Sequence, residues 1–358
     1  MASLSARVGI AWVAGASVFG CTDPEPAEVA RLEVVGVRAD PPSGAPGRRI
    51  ELELVHSQQV MPELAVDGSG QSIASGIHVA WLGGCHNPPG GAYYGCFSAL
   101  RAITEQLPNP IPDQLDPDQA EEGTFGLGQT FAIQIPEDIL IETNAGLAGV
   151  SFAFFAVCRG QLRPKPDAQN TVPLGCHDEN GKELGNSRFA VGFTTIRTVP
   201  GVDNQNPEIA GVRLDGVPLE RRTCSSNEDC MDLSTGQWPY RCGDEGECWP
   251  VIEDCDSPPC QDVDVELLID PSSAEVLPAG EGSRPRETLH VEILSLLSRL
   301  GDKVEIYPGS GEFSVEGEFR LTPLPPDAYP EVRQIPWIAM IEDERGGRGF
   351  LEWWFLRQ

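Results

Sequence analysis

The chain has 358 residues, of which 39 are Gly and 32 are Pro, and its Asp and Glu outnumber its Lys and Arg by 54 to 25. A hydrophobic share of 40% is enough to build packed cores, and the length favours two domains over one. The net charge of −29 argues against nucleic acid as a partner, because phosphate recognition needs a positive field.

Met1 to Arg7 carries one positive charge, and Val8 to Phe19 is an apolar run of 12 residues. That run is too short to cross a bilayer core of about 30 Å as a helix. A charged start and a short apolar middle form an export signal, which takes no part in the fold. Val18-Phe19-Gly20-Cys21 resembles the lipobox of bacterial lipoproteins. The resemblance implies a signal peptide over 1–20, cleavage before Cys21, and acyl chains on the Cys21 sulfur and its new amino group. The protein would then hold to the membrane by lipid without crossing it. An ordinary secretory signal with a chance cysteine is the alternative. Residues 21–30 are polar, contain two prolines and read as a tether.

The strand signals come next in chain order. The first half offers Arg49–Leu54, Ile77–Leu82, Phe131–Ile135, Gly149–Val157 and Arg188–Ile196. The second offers Val263–Ile269, Thr288–Ile293, Val304–Tyr307, Phe313–Leu321, Trp337–Ile341 and Phe350–Leu356. All are short, β-branched or aromatic, and mostly bounded by Gly, Pro or Asn. No stretch shows a long amphipathic helical period. Glu344-Arg345-Gly346-Gly347-Arg348 reads as the turn of a final hairpin.

The halves echo one another. Glu33-Val34-Val35-Gly36-Val37-Arg38-Ala39-Asp40 returns as Glu208-Ile209-Ala210-Gly211-Val212-Arg213-Leu214-Asp215. A second echo sets Asp40-Pro41-Pro42-Ser43 against Asp270-Pro271-Ser272-Ser273, with Thr288–Ile293 as the counterpart of Arg49–Leu54. Internal duplication follows as the architectural expectation. The predicted fold is all-β, with two Ig-like or fibronectin-like sandwiches. The first spans 31–200 with an acidic, Pro-rich insert at about 97–128. A linker at 201–205 follows, and the second sandwich spans 206–358 with a cysteine-rich insert at about 222–262. Trp81 resembles the core tryptophan of that fold. The whole is similar to the Ig-like surface lipoproteins of myxobacteria, which implies a cell-envelope location.

Eleven cysteines is an odd number, and assigning Cys21 to lipid leaves ten for disulfides in an oxidising compartment. Cys85 and Cys158 should end neighbouring antiparallel strands at opposite poles, about 20 Å apart for six residues. A disulfide needs α-carbons within about 7 Å. Cys85 should therefore pair with Cys96, and Cys158 with Cys176. Cys224, Cys230, Cys242, Cys248, Cys255 and Cys260 lie within 37 residues, too few to bury much surface, so cross-links should replace a core there. They resemble small cysteine-rich knots; their connectivity is open, and a zinc cluster is the rival. Cys85-His86 and Cys176-His177 allow a mixed metal set, against plain loop histidines beside disulfides.

No His-Glu-x-x-His, nucleophile elbow or Walker-type loop occurs, so neither an enzyme nor a cofactor is expected. Asp113, Asp116, Asp118, Glu121 and Glu122 form an acidic loop that could hold Ca²⁺ or simply be solvated. Tyr93, Tyr94, Trp238, Tyr240 and Trp249 are candidate contacts for a sugar or peptide, or else packing groups against disulfides. The functional expectation is a non-catalytic, adhesin-like scaffold whose partner is another envelope protein. A glycan- or Ca²⁺-binding lipoprotein is the second reading, and a secreted hydrolase the third.

Overall fold

The computed structural model describes residues 34–56, 77–112, 123–143, 146–168, 171–185, 188–201, 204–233, 238–243, 246–252, 262–275, 286–295, 304–306, 314–320 and 334–357. The segments read as an export signal and a tether lie outside the described residues together with Cys21, as do Asp113, Asp116, Asp118, Glu121, Glu122, Cys255 and Cys260.

The first half contains β1 (Val34–Asp40), β2 (Arg49–His56), β3 (His78–His86), β4 (Phe125–Leu127), β5 (Thr130–Gln134), β6 (Ile141–Thr143), β7 (Gly146–Cys158), β8 (Gln161–Pro164), β9 (Leu174–His177) and β10 (Phe189–Thr198), with helix α1 (Phe97–Thr104) between β3 and β4. One sheet runs β1-β2-β5 and the facing sheet β10-β7-β3-β4; β6 adds to β7, and β8 pairs with β9.

The second half contains β11 (Ile209–Leu214), β12 (Val217–Pro218), β13 (Tyr240–Cys242), β14 (Cys248–Ile252), β15 (Asp262–Ile269), β16 (Leu289–Ser295), β17 (Val304–Ile306), β18 (Ser314–Arg320), β19 (Gln334–Asp343) and β20 (Arg348–Arg357). Its sheets run β12-β11-β15-β18 and β13-β14-β20-β19-β16-β17. Without the additions at their edges, the two halves share one strand order. Each is an Ig-like sandwich in which the short strand after the third lies beside that third strand. The chain is all-β in architecture, as the strand signals predict.

The duplicated Gly-Val-Arg motif occupies the same structural position twice. Register breaks between Val34 and Gly36 where β1 meets β2, and between Ile209 and Gly211 where β11 meets β15. The second echo does not map in the same way. Asp40 ends β1, whereas Asp270 follows β15, the partner of β11; the residue in Asp40's place is Asp215. Likewise β15, not the strand at 289–295, takes the place of β2, because the cysteine-rich insert stands between β11 and β15. A four-residue match around Asp-Pro marks a common strand end, and such ends recur within one fold.

Alternation decides which side chains go inside. Ile50, Leu52 and Leu54 of β2 are buried, with Glu51 between them exposed. They join Val37, Val79, Trp81, Phe131, Phe155 and Val157 in the core between the sheets. Trp81 is fully buried, stacks on Phe131 at 5.7 Å and donates its indole N–H to the Gly128 carbonyl at 2.9 Å. β7 breaks the alternation, since every residue from Phe152 to Cys158 is buried. A strand reads that way when both of its faces are covered. The second face belongs to a separate core of Leu82, Phe97, Leu100, Phe154, Leu162 and Leu174, formed where the inserts fold over the outside of the sheet.

His56 closes β2, almost wholly buried. Burial, reinforced by the nearby Arg159 guanidinium, lowers its pKa from 6.5 to about 4. The unfolded chain takes up this proton near 6.5, so the contribution to stability is complete above 6.5 and is lost as pH falls through about 4. The difference amounts to about 3 kcal/mol. Urea unfolding at pH 7.5 and pH 4 should show the wild type losing that much more than His56→Gln; equal losses would contradict a buried neutral imidazole.

Candidate interaction surface

The connection from β3 to β4 begins Asn87-Pro88-Pro89-Gly90-Gly91, and both glycines adopt positive φ, at 75° and 67°. The reversal needs that conformation, which only glycine adopts without steric cost. It returns the chain so that Cys96 meets Cys85, and the two are bonded. α1 follows at once and lays Phe97, Leu100 and Thr104 on the outer face of the sheet. From the other side the β8–β9 hairpin brings Leu162, Val172 and Leu174 onto the same face, fixed by the Cys158–Cys176 disulfide. His86 shares a 2.8 Å hydrogen bond with the Ser151 hydroxyl, and burial lowers its pKa. The mixed ligand set drawn from the two Cys-His dipeptides is not assembled, because all four sulfurs are spent in disulfides.

One margin of this covered face stays open. Tyr93 is 41% exposed and Tyr94 63%, beside Val191 at 40% and Phe193 at 41% on β10. Tyr93 stacks on Phe193 with centroids 4.5 Å apart and planes 20° from parallel, while Tyr94 meets Tyr93 edge-on. Beneath them Phe193 touches the rings of Phe152 and Phe154, so the platform rests on the outer core and not on a loose loop.

The cysteine-rich insert behaves differently from the expectation. Cys224 pairs with Cys242 and Cys230 with Cys248, an interleaved pattern. The Cys224, Cys230 and Cys248 sulfurs lie within 4.8 Å of one another because the two bridges are neighbours. Trp238 and Trp249, at 2% and 1% exposure, and buried Tyr240 are not contact residues. They belong to the core of the second sandwich together with Trp337, Trp353 and Phe355. The reason lies in β14, which pairs in parallel with β20 and so extends the sheet. Its alternate side chains then fall on the core side, and the insert shares a core instead of substituting for one. The Trp238 indole donates to Asp215 Oδ2 at 2.9 Å, so the aspartate of the duplicated motif anchors the insert.

The segment read as a linker is part of a buried junction. Asn204 donates its backbone N–H to the Ser43 hydroxyl and its side-chain amide to Asp343 Oδ2 at 3.0 Å. Asn206 donates to the Ala39 carbonyl and accepts from the Arg348 amide. Asp343 Oδ1 takes the amides of Arg345 and Gly347 at the turn between β19 and β20. Arg345 in turn pairs with Glu275 and with the fully buried Glu287. Burial raises the pKa of both Glu287 and Asp343, with Arg345 acting in the opposite direction on each. A Cβ on Gly36 would lie 3.0 Å from the Phe350 ring, so the glycine at the β1 bulge admits the second half. Val55 also packs against the second core. Contact between the halves thus includes Phe350, Met340 and Val55, and Trp353 and Trp354 are both buried in the second core.

No protein-family model matches the chain, and no curated protein matches it. Among solved structures the chain is similar to dimeric latent PorU from Porphyromonas gingivalis, at 10% identity and a TM-score of 0.18 over 92% of this chain and 24% of that one. It is also similar to the FN1–FN3 domains of chicken CNTN1, at 8% identity and a TM-score of 0.16 over 91% and 64%. Escherichia coli alpha-2-macroglobulin activated by porcine elastase gives 9% identity and a TM-score of 0.18 over 92% and 22%. The chain thus spans less than two thirds of each, and its fold stands on its own strand order.

Sequence patterns place Tyr93 and Tyr94 but pass over Val191 and Phe193. The signal for them is a lack of charge: Phe189-Ala190-Val191-Gly192-Phe193-Thr194-Thr195-Ile196 has none, in a chain that is 22% charged.

Proposed function

We propose that this is a lipid-anchored protein of the cell envelope, a non-catalytic scaffold that presents the Tyr93–Tyr94–Phe193 platform to a partner protein. The observation that carries the reading is the pairing of eight cysteines in four disulfides, a state that persists in oxidising compartments. Cys21 stands ahead of the first strand at a lipobox-like sequence. The buried junction supports a scaffold because it sets the two sandwiches at one spacing. Expressed at full length with a labelled fatty-acid probe, the wild type should carry the label and sediment with membranes. Cys21→Ser should lose both; a variant that keeps its label would refute the anchor.

Glycan binding is the second reading, favoured by the exposed flat ring of Tyr94. A glycan array on the purified protein decides it, and a Tyr94→Ala variant that retains the same glycan signal would exclude the platform as the sugar site.

A further inference from the structure

The last strands of the sheets differ sharply in what protects them. Native proteins keep sheet edges short, charged or covered, because a bare edge offers unpaired N–H and C=O groups to any extended chain. Among the described residues β4, β6, β12, β13 and β17 have three residues or fewer. β1 carries Arg38 and Asp40, and β18 carries Glu316, Glu318 and Arg320. β5 is overlain by Gly123, whose Cβ would sit 3.5 Å from the Gln134 nitrogen.

Among the described residues, β10 has none of these protections along most of its length. It is a terminal strand of ten residues, paired on one side with β7. Its far end is occupied: Ser43 bridges Arg197 in parallel, and the Gly346 turn of the second half approaches the Thr195 carbonyl. From Phe189 to Thr194 no strand lies on the open side among the described residues. Six residues span about 20 Å. Gly192 has a packing reason to be glycine, since a Cβ there would lie 2.4 Å from the Phe155 ring. Val191 and Phe193 stay 40% and 41% exposed and uncharged, although Phe193 also packs on Phe152 and Phe154.

The second half shows what such an edge accepts. Its last strand, β20, occupies the place that β10 has in the first half, and β14 pairs with it in parallel through Val251–Leu356 and Ile252–Arg357. The incoming strand is apolar, with Trp249 and Val251 buried on arrival. At the open end of β10 stands a cation. Arg188 is exposed and close enough to Arg159 for the two guanidinium charges to repel, and Arg188 has no ion pair among the described residues. Antiparallel pairing of β10 with a second copy over the same six residues would bring Arg197 of one near Arg188 of the other, so charge disfavours self-association.

We propose that the open edge of β10, from Phe189 to Thr194, takes up an extended segment of a partner protein as an added strand, with alternate apolar side chains on Val191, Phe193 and Tyr93 and a carboxylate end towards Arg188. This rests on the scaffold reading and names the class of partner. Backbone hydrogen bonds supply the affinity, and the aromatic platform and the arginine supply selectivity.

The test uses the full-length protein and a fluorescent synthetic peptide, Asp-Asp-Val-Thr-Val-Thr-Val-Thr. Fluorescence anisotropy should show saturable binding, with new hydrogen-exchange protection at 189–194. Val191→Lys, a change at an exposed position, should weaken binding about tenfold or more while the circular dichroism stays unchanged. The peptide N-methylated at alternate residues should also fail to bind. Absence of binding at about 1 mM peptide overturns the proposal. So does undiminished binding of the methylated peptide, which would mean side-chain docking alone. Protection of 189–194 that grows with protein concentration in the absence of peptide assigns the edge to a second copy and overturns it too. Membrane sedimentation and fatty-acid labelling are read separately, so a failed strand site and a failed anchor are distinguishable.

Discussion

Arg345→Met should cost about 3–5 kcal/mol of folding stability. The loss comes from what the guanidinium leaves behind. Glu287 is fully buried and has Arg345 as its ion-pair partner, and Glu275 is mostly buried beside the same group. Burial alone opposes a charge on Arg345, yet the hydrogen bonds it donates to the two glutamates hold its pKa above the ordinary arginine value. With Arg345 gone, the Glu287 carboxyl rises further. A carboxyl whose pKa is higher folded than unfolded adds stability at low pH and loses it as pH increases through the folded value. Urea unfolding of Arg345→Met should therefore recover part of the loss as pH is lowered from 7.5 to 5. The double variant Arg345→Met/Glu287→Leu should recover most of it, because the one fully buried carboxylate of the cluster is gone and the partly exposed Glu275 can still be solvated. A loss below about 1 kcal/mol in the single variant would mean that the pair is as weak as a surface salt bridge.

Replacing both Cys158 and Cys176 with serine should cost about 2–5 kcal/mol, the usual loss when a native disulfide is removed from a small domain. The bridge closes a separation of 18 residues, and both half-cystines are fully buried. The damage should concentrate in the outer cover. The β8–β9 hairpin joins the outer core through Leu162, Val172 and Leu174, and the bridge to β7 is its covalent tie. Hydrogen exchange should rise over 161–177 before it rises over Trp81 and Phe155, which belong to the core between the sheets. Uniform loss of protection across the first half would show that cover and sandwich unfold as one unit.

The strands that alternate were legible in advance for a simple reason. β2 faces solvent on one side, so Glu51 and Glu53 interleave with Ile50, Leu52 and Leu54 and reveal the period of two. The Cys85–Cys96 and Cys158–Cys176 bridges could be reasoned from strand direction, because pole-to-pole distance along a strand exceeds what a disulfide can reach. β4, β6, β8, β9, β12 and β13, each two to four residues long, are too short to show any period. α1 has eight residues, starts on the disulfide-bonded Cys96 with no side-chain cap, and sits beside proline-rich chain that masks it. The insert aromatics misled because the same ring can stack on a sugar or fill a core. Their fate turns on the parallel pairing of β14 with β20, a contact across about a hundred residues that no local pattern records.

The all-β class, the doubled sandwich and the two bridges of the first half could be read from the residues alone. Those follow from period, repetition and chain geometry, which are local or nearly so. Tertiary structure alone decided that the inserts pack on the sandwiches as shared cores and that Asn204 and Asn206 lock the halves at a buried junction. It also decided that the uncharged run from Phe189 to Thr194 lies on a sheet edge with no neighbouring strand among the described residues. Each of these depends on which surfaces meet, and burial is a property of a pair of surfaces that neither one carries in its own residues.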